Sequence, residues 1–395
     1  MTAPGPMQVL YFSNTLERGG AEEHLLTLLR GLDCARFRAA LACMPELARA
    51  LAPDLPSHVE VFPVRLRHPG DSQGAVRLCR WMRARRPAVV HSHLFYASFF
   101  ASPLARLCGV PAVVETPHVR ERWRQGRWKS RYFVDRWAGR AVDYYIAVSV
   151  ANARYLIQEK HLPPHKVVVI HNGCDLERFD PAHVPPADVR PWGIAPGDRL
   201  LVVVGRLEPQ KGHEVLIEAI ALLAPNYPRL KVACLGEGRL KAGLQAMVAK
   251  LGIGNVIQFP GFQPAVERWL ARAEASVLPS HYEGLPLAAI ESLAMGRPVV
   301  ATGVDGTPEV VHDGIHGRIV PPGDAPGLAA AIEDLLRRPE RARQWGAAGH
   351  AWVRERFSHC RQLAETQALY LRASARRRAL GPAAPCSIPA RGGRA

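Results

Sequence analysis

Short runs rich in β-branched residues alternate with helix-length amphipathic segments along almost the whole chain, and this alternation restricts the fold more than any other feature. Strand patterns fall at 8–12, 38–44, 59–64, 88–91, 112–115, 144–148 and 166–170, then again at 200–204, 231–235, 256–259, 275–278, 298–301 and 318–320. Helical spacing predicts helices over 21–30, 74–85 and 150–159, and over 213–223, 240–251, 264–271, 287–295 and 326–337. Strands separated by helices pair in parallel, with helices on both faces of the sheet. The stretch 180–197 carries five prolines and breaks the pattern, which places a domain boundary there. A chain of 395 residues also exceeds what one hydrophobic core usually holds. The expected architecture is therefore α/β, with two doubly wound domains, 1–180 and 190–357, facing each other across a cleft. Ligands of such sheets bind beyond the C-terminal ends of the strands.

Composition excludes several classes. With 48% hydrophobic and 22% charged residues the chain reads as a soluble globular protein, and no apolar run approaches the length of a membrane span. Residues 1–6 lack a signal-peptide core, and the eight cysteines form no C-x-x-C pair, so a cytoplasmic protein with reduced thiols is expected. A net charge of +16 calls for an anionic partner: nucleic acid, an anionic membrane surface or a phosphorylated small molecule. Part of that charge sits in 374–395, which reads as a disordered basic tail. Another part lies in 120–137, where Arg120, Trp123, Trp128 and Trp137 alternate with further basic residues. That segment reads first as a solvated helix flank with packed tryptophans, and second as a surface for a lipid interface or a lipid-linked ligand.

The loops after the strands carry the chemistry. In Ser280-His-Tyr-Glu283-Gly284-Leu285-Pro286-Leu287-Ala-Ala-Ile-Glu291, a tight turn leads into a helix, leaving free N–H groups at the helix start and a carboxylate on each side of it. A phosphate-bearing, polyhydroxylated ligand fits both features; alone, the stretch reads equally as a charged helix N-terminus. After the first strand of the second half, Gly205-Arg206-Leu-Glu-Pro-Gln-Lys211 places two cations where they could hold a diphosphate, or simply be solvated. Gly19-Gly20 opens a helix after the first strand, either as a ligand-facing loop or as an ordinary turn. His118 follows the fifth strand and could donate to a sugar hydroxyl. His91 and His93 could be mistaken for a metal pair, yet no third ligand stands at a plausible spacing, so packing or hydrogen bonding is expected there. Gly261 ends a strand that could wall a nucleobase. No D-x-D occurs, which gives no support for a carboxylate-held metal.

Taken together, these motifs in this order resemble family 4 of the retaining glycosyltransferases, of the two-domain GT-B architecture. The resemblance runs from Gly19-Gly20 through His118 and Asn172-Gly173 to Gly306-Thr307-Pro308-Glu309. It implies a nucleoside-diphosphate-sugar donor on the second domain, a glycan or lipid-linked acceptor on the first, and neither cofactor nor obligatory metal. It implies further that Arg206 and Lys211 hold the diphosphate, Glu291 the ribose and Glu283 the donor sugar. His118 then lies near the reacting sugar, and Gly19-Gly20 faces the phosphates. Gly205, Gly261, Gly284, Leu285, Pro286 and Leu287 complete the donor site, while Arg120, Trp123 and Trp128 are expected to face the acceptor or a membrane. A last helix at 358–373 is expected to pack back on the first domain. Asp305 departs from the family, standing where many members have glycine, and is expected to tighten the loop or add a charge. Two other readings stay open. One is a GT-B relative acting as a phosphorylase or epimerase; the other is a basic protein of membrane surfaces or nucleic acid, although no nucleic-acid partner is expected. A position at the inner face of the plasma membrane, in cell-envelope polysaccharide synthesis, fits the resemblance.

Overall fold

The computed structural model describes residues 5–16, 18–66, 68, 70–121 and 132–379. Strands β1 (Met7–Ser13), β2 (Phe37–Cys43), β3 (Glu60–Pro63), β4 (Val89–His93), β5 (Ala112–Thr116), β6 (Tyr144–Ala147) and β7 (Val167–Val169) form one sheet in the order β3-β2-β1-β4-β5-β6-β7. Strands β8 (Arg199–Val204), β9 (Leu230–Leu235), β10 (Ile257–Gly261), β11 (Ala275–Leu278), β12 (Val299–Thr302) and β13 (Gly317–Val320) form a second, ordered β10-β9-β8-β11-β12-β13. All neighbours pair in parallel. The sequence reason is direct. Central strands such as β1 and β4 carry almost uninterrupted buried runs, because helices cover both of their faces and leave no side for water.

Each sheet reverses its winding once, between β1 and β4 in the first and between β8 and β11 in the second. Loops leaving those strands diverge and open a crevice there. The residues singled out above leave these strands or their immediate neighbours: Gly19 after β1, His93 at the end of β4, His118 after β5, Arg206 after β8 and Glu283 after β11.

Several helices escape the periodic pattern, three of them with a visible reason. Pro45–Leu51 opens on proline, and Phe95–Leu107 contains Pro103, a residue that usually ends a helix. Pro339–Arg356 buries only a few small and aromatic residues among its charges. The last helix, His359–Ala379, places Leu363, Leu369, Tyr370 and Ala373 in the core of the first sheet. It runs six residues into the segment expected to lack order, 374–379; the alanines and arginines there are good helix formers. Residues 380–395 lie outside the described part of the chain.

The two sheets are bridged at their facing ends. The Ser149 hydroxyl donates to the Gly284 carbonyl at 3.0 Å, and the Glu309 carboxylate accepts from the Val150 and Ala151 N–H groups at 2.9 Å. Glu309, on the second half, thus satisfies orphan donors at the start of the helix Val150–Arg154 on the first.

Candidate active site

On the second sheet the site is built from adjacent strand ends. Gly205 follows β8 directly, and a Cβ there would lie 3.3 Å from the Lys211 methylenes, so the missing side chain lets the lysine fold back across the strand end. Lys211 Nζ reaches Glu283 Oε1 at 2.6 Å. Ser280 donates to the same carboxylate oxygen at 2.7 Å. The Glu283 N–H donates to Asp305 Oδ2 at 2.9 Å. Glu283 is 5% exposed; a charge at that depth needs such partners. Asp305 sits at φ +42°, a left-handed conformation that costs a non-glycine residue about 1 kcal/mol or more. It therefore both tightens the loop and brings in a charge, for Arg120 approaches its Oδ1 at 4.0 Å from the first half.

The helix Leu287–Ala294 begins just after this turn. The N–H groups of Gly284, Leu285 and Leu287 take no protein partner among the described residues, while Pro286 has none to offer. Together with the macrodipole, they favour an anion at this helix start. Gly284 must be glycine for packing reasons: a Cβ there would overlap the His118 carbonyl oxygen.

Arg206 is exposed after β8 and crosses to the first half, where its Nε lies 3.7 Å from the position a Cβ would take on Gly19. Gly19 is extended and opens the helix Gly20–Gly31. Its neighbour Glu22 accepts from Thr15 at 2.7 Å. Burial pushes the Glu22 carboxyl up, while the Thr15 hydrogen bond and the Arg206 charge act in the opposite direction. Gly19-Gly20, Arg206, Gly284 and His118 thus converge from both halves.

Glu291, on the same helix as the anion-favouring start, has its carboxyl pushed up to about 7 by burial, against the opposing charge of Arg178 and with Glu23 and Glu267 adding to the rise. Gly261 ends β10 at φ +79°, where a Cβ would crowd Glu237, and Phe262 beside it is 59% exposed.

The histidines differ most from expectation. His93 does find further histidines, His24 and His118, whose candidate ligand atoms all lie within 4.8 Å of one another with those of His93. They come from the first helix and from the loop after β5, which no spacing along the chain could reveal. All three are buried. Burial holds the rings of His24, His93 and His118 below the usual histidine range, His24 at about 4, so they are neutral near pH 7. His24 Nδ1 lies 2.8 Å from Asn172 Oδ1 and 2.9 Å from Gln362 Nε2. His91 is held by Tyr370 at 2.6 Å and Thr116 at 2.7 Å. Gln362 and Tyr370 both belong to the last helix, so that helix supports the histidine cluster from behind.

Arg120 pairs with Glu159 and lies 5.2 Å over the Tyr155 ring. Trp123 and Trp128 lie outside the described residues. Trp137 is 53% exposed.

The model of group 1 glycosyl transferases matches residues 186–352, and that of glycosyltransferase family 4 matches residues 18–178. A D-inositol 3-phosphate glycosyltransferase of Thermobispora bispora is 32% identical over 361 residues, covering 81% of this chain and 84% of that protein. A glycogen synthase of Mycobacterium tuberculosis is 33% identical over 312 residues, covering 77% and 73%. Among solved structures, Anabaena HepE in complex with UDP-glucose superposes with a TM-score of 0.80 at 20% identity, covering 92% of this chain and 99% of that one. With the two sheets facing each other and the motifs gathered at their strand ends, the chain belongs to the group 1, family 4 glycosyltransferases and has the GT-B fold.

Proposed function

We propose that this enzyme moves a sugar from a nucleoside diphosphate sugar to a hydroxyl of a glycan or lipid-linked acceptor, with retention of configuration and without a metal bridging the diphosphate. The observation that carries this reading is the meeting of Arg206, Lys211 and the open N–H groups of Gly284, Leu285 and Leu287 around adjacent strand ends. Breaking the anomeric bond leaves an oxocarbenium-like sugar and a diphosphate. Two cations and a helix start aimed at the leaving group stabilise that charge as it develops. Glu283 accepts from donor-sugar hydroxyls and Glu291 from the ribose. The departing phosphate oxygen takes the acceptor proton, so attack comes from the face the leaving group vacates. Solved relatives that hold UDP and UDP-glucose support a nucleoside diphosphate sugar as donor.

The acceptor binds the first half. At the opposite, N-terminal edge of the first sheet, before β6 and β7, a groove of about 460 Å³ includes Trp137, Arg136, Arg140 and Lys166 in its lining, a combination suited to phosphate headgroups and the membrane interface. We place the enzyme in assembly of cell-envelope polysaccharide at that surface. Among the described residues no helix is long and apolar enough to cross a membrane, so contact with lipid would be peripheral. Flotation with anionic vesicles checks this, and recovery unchanged in Trp137→Ser contradicts it.

The transfer itself is tested with a panel of nucleoside diphosphate sugars and isolated envelope glycans, reading the product anomer by NMR. The same anomeric configuration in donor and product supports the reading; an inverted product, or consumption of donor with phosphate alone, overturns it.

A further inference from the structure

Buried polar atoms nearly always find partners, so His93 is informative for the one it lacks. It ends β4 at 1% exposure. Its Nδ1 lies 3.0 Å from His118 Nε2, with ring centres 5.3 Å apart and planes 18° from parallel. These values put the two nitrogens between the rings, close to the line joining their centres, so the in-plane axes meet head-on. A shared zinc-like ion would need each nitrogen at about 2.0–2.1 Å with axes converging at an angle. Nitrogens opposed at 3.0 Å have room for one proton. The contact is a hydrogen bond, and the question is which ring donates.

We infer that His93 is a positioning residue that donates through Nδ1 and fixes His118 as its Nδ1–H tautomer, so that His118 offers the sugar a proton and not a lone pair.

The direction follows from the other nitrogen of His93. Nε2 is sealed from solvent and has no partner among the described residues. Were His118 the donor, neutral His93 would carry its own proton on Nε2, as a buried N–H with no acceptor. Such orphan N–H groups are rarer and costlier than an unused lone pair. The proton therefore sits on His93 Nδ1, and His118 accepts it at Nε2. A neutral His118 then holds its proton on Nδ1. That nitrogen has no protein partner among the described residues, yet it is not among the sealed atoms, so solvent or a ligand can reach it. Of the neighbouring rings, His24 meets Asn172 and Gln362 at its Nδ1, and His91 meets Tyr370 and Thr116 through its two nitrogens. Among the described residues, His93 makes its one polar side-chain contact with His118.

The consequence rests on the transferase reading. A group that presents N–H can stabilise a sugar oxygen or a developing charge, but it cannot abstract the acceptor proton from that side. Base duty then falls on the leaving phosphate.

Neutron diffraction from a deuterium-exchanged crystal of the whole protein tests the tautomer without any substrate. Deuterium on His93 Nδ1 and His118 Nδ1 is the expected result; deuterium on His118 Nε2 overturns the inference. Kinetics test the role. His93→Phe should lower kcat by about 10-fold, the upper end of what one neutral hydrogen bond contributes, with the donor KM little changed. His93→Asn, whose amide N–H can stand near the place of Nδ1, should recover most of the loss. Unchanged kcat in His93→Phe, or a folded His93→Asn no better than His93→Phe, contradicts the role. A wild-type protein that turns over no nucleotide sugar would sink the transferase reading and leave the neutron assignment standing.

Discussion

Lys211 Nζ and Glu283 Oε1 meet at 2.6 Å across the loops that follow β8 and β11. The cation proposed to hold the phosphates and the carboxylate proposed to hold the sugar are thus joined in one contact. A diphosphate that takes over Nζ frees one oxygen of Glu283 for a sugar hydroxyl, while Ser280 keeps the carboxylate oriented.

Glu283→Gln preserves the shape of the site and removes the charge, so thermal stability should stay near wild type while transfer falls by about 100-fold or more. Lys211→Ala should lose activity to the same degree and also lose stability, because a buried carboxylate is left without its cation. Initial rates and melting curves of both variants check the pair. Equal melting losses in the two would show that the contact is structural alone.

Gly284→Ala places a methyl group against the His118 carbonyl oxygen and beside Val148, at the point where the halves meet. The second half alone should still fold and bind nucleotide. Transfer should drop by at least 10-fold because the halves no longer close on each other, and small-angle scattering should report a larger radius of gyration. A variant with normal scattering and normal rate would contradict the role of this contact.

Glu291 carries a pH dependence. Its carboxyl rises from the ordinary 4.5 to about 7, so between those values the folded protein binds a proton that the unfolded chain has released. Stability from this group is full below 4.5 and is lost as pH rises through 7. If the carboxylate binds the ribose as proposed, nucleotide affinity should rise from pH 6 to 8. Titration calorimetry across that range should show the rise in wild type and a flat profile in Glu291→Gln; the same slope in both would remove Glu291 from the ribose site.

Much of the fold was legible in the sequence because its signals are local. The buried runs of β1 and β4 and the helix His213–Leu223 announce themselves by composition and period, and the turn at Gly284 by its chemistry. What escaped was long-range. His93 looks like half of a pair until β5 and the first helix bring His118 and His24 beside it. Gln362 and Tyr370 read as ordinary residues of a polar helix, and nothing near them in sequence shows that they face histidines. The helix Phe95–Leu107 hid behind Pro103, because tertiary packing overrode the usual breaking signal.

Asp305→Gly separates strain from function. Glycine relieves the left-handed backbone, worth roughly 1 kcal/mol, but releases the Glu283 N–H and the approach of Arg120. The melting temperature should hold or rise while transfer falls by about 10-fold. A variant both more stable and fully active would show that Asp305 only fills the turn.

Binding of nucleoside diphosphates in EDTA, by titration calorimetry on wild type, Arg206→Ala and Lys211→Ala, tests the phosphate site most directly. One of UDP, GDP or ADP should bind without metal, and each substitution should weaken it by about 10–100-fold, the loss of one charge-assisted hydrogen bond. Equal affinity in all three proteins, or binding that appears only when magnesium is added, would contradict the phosphate site.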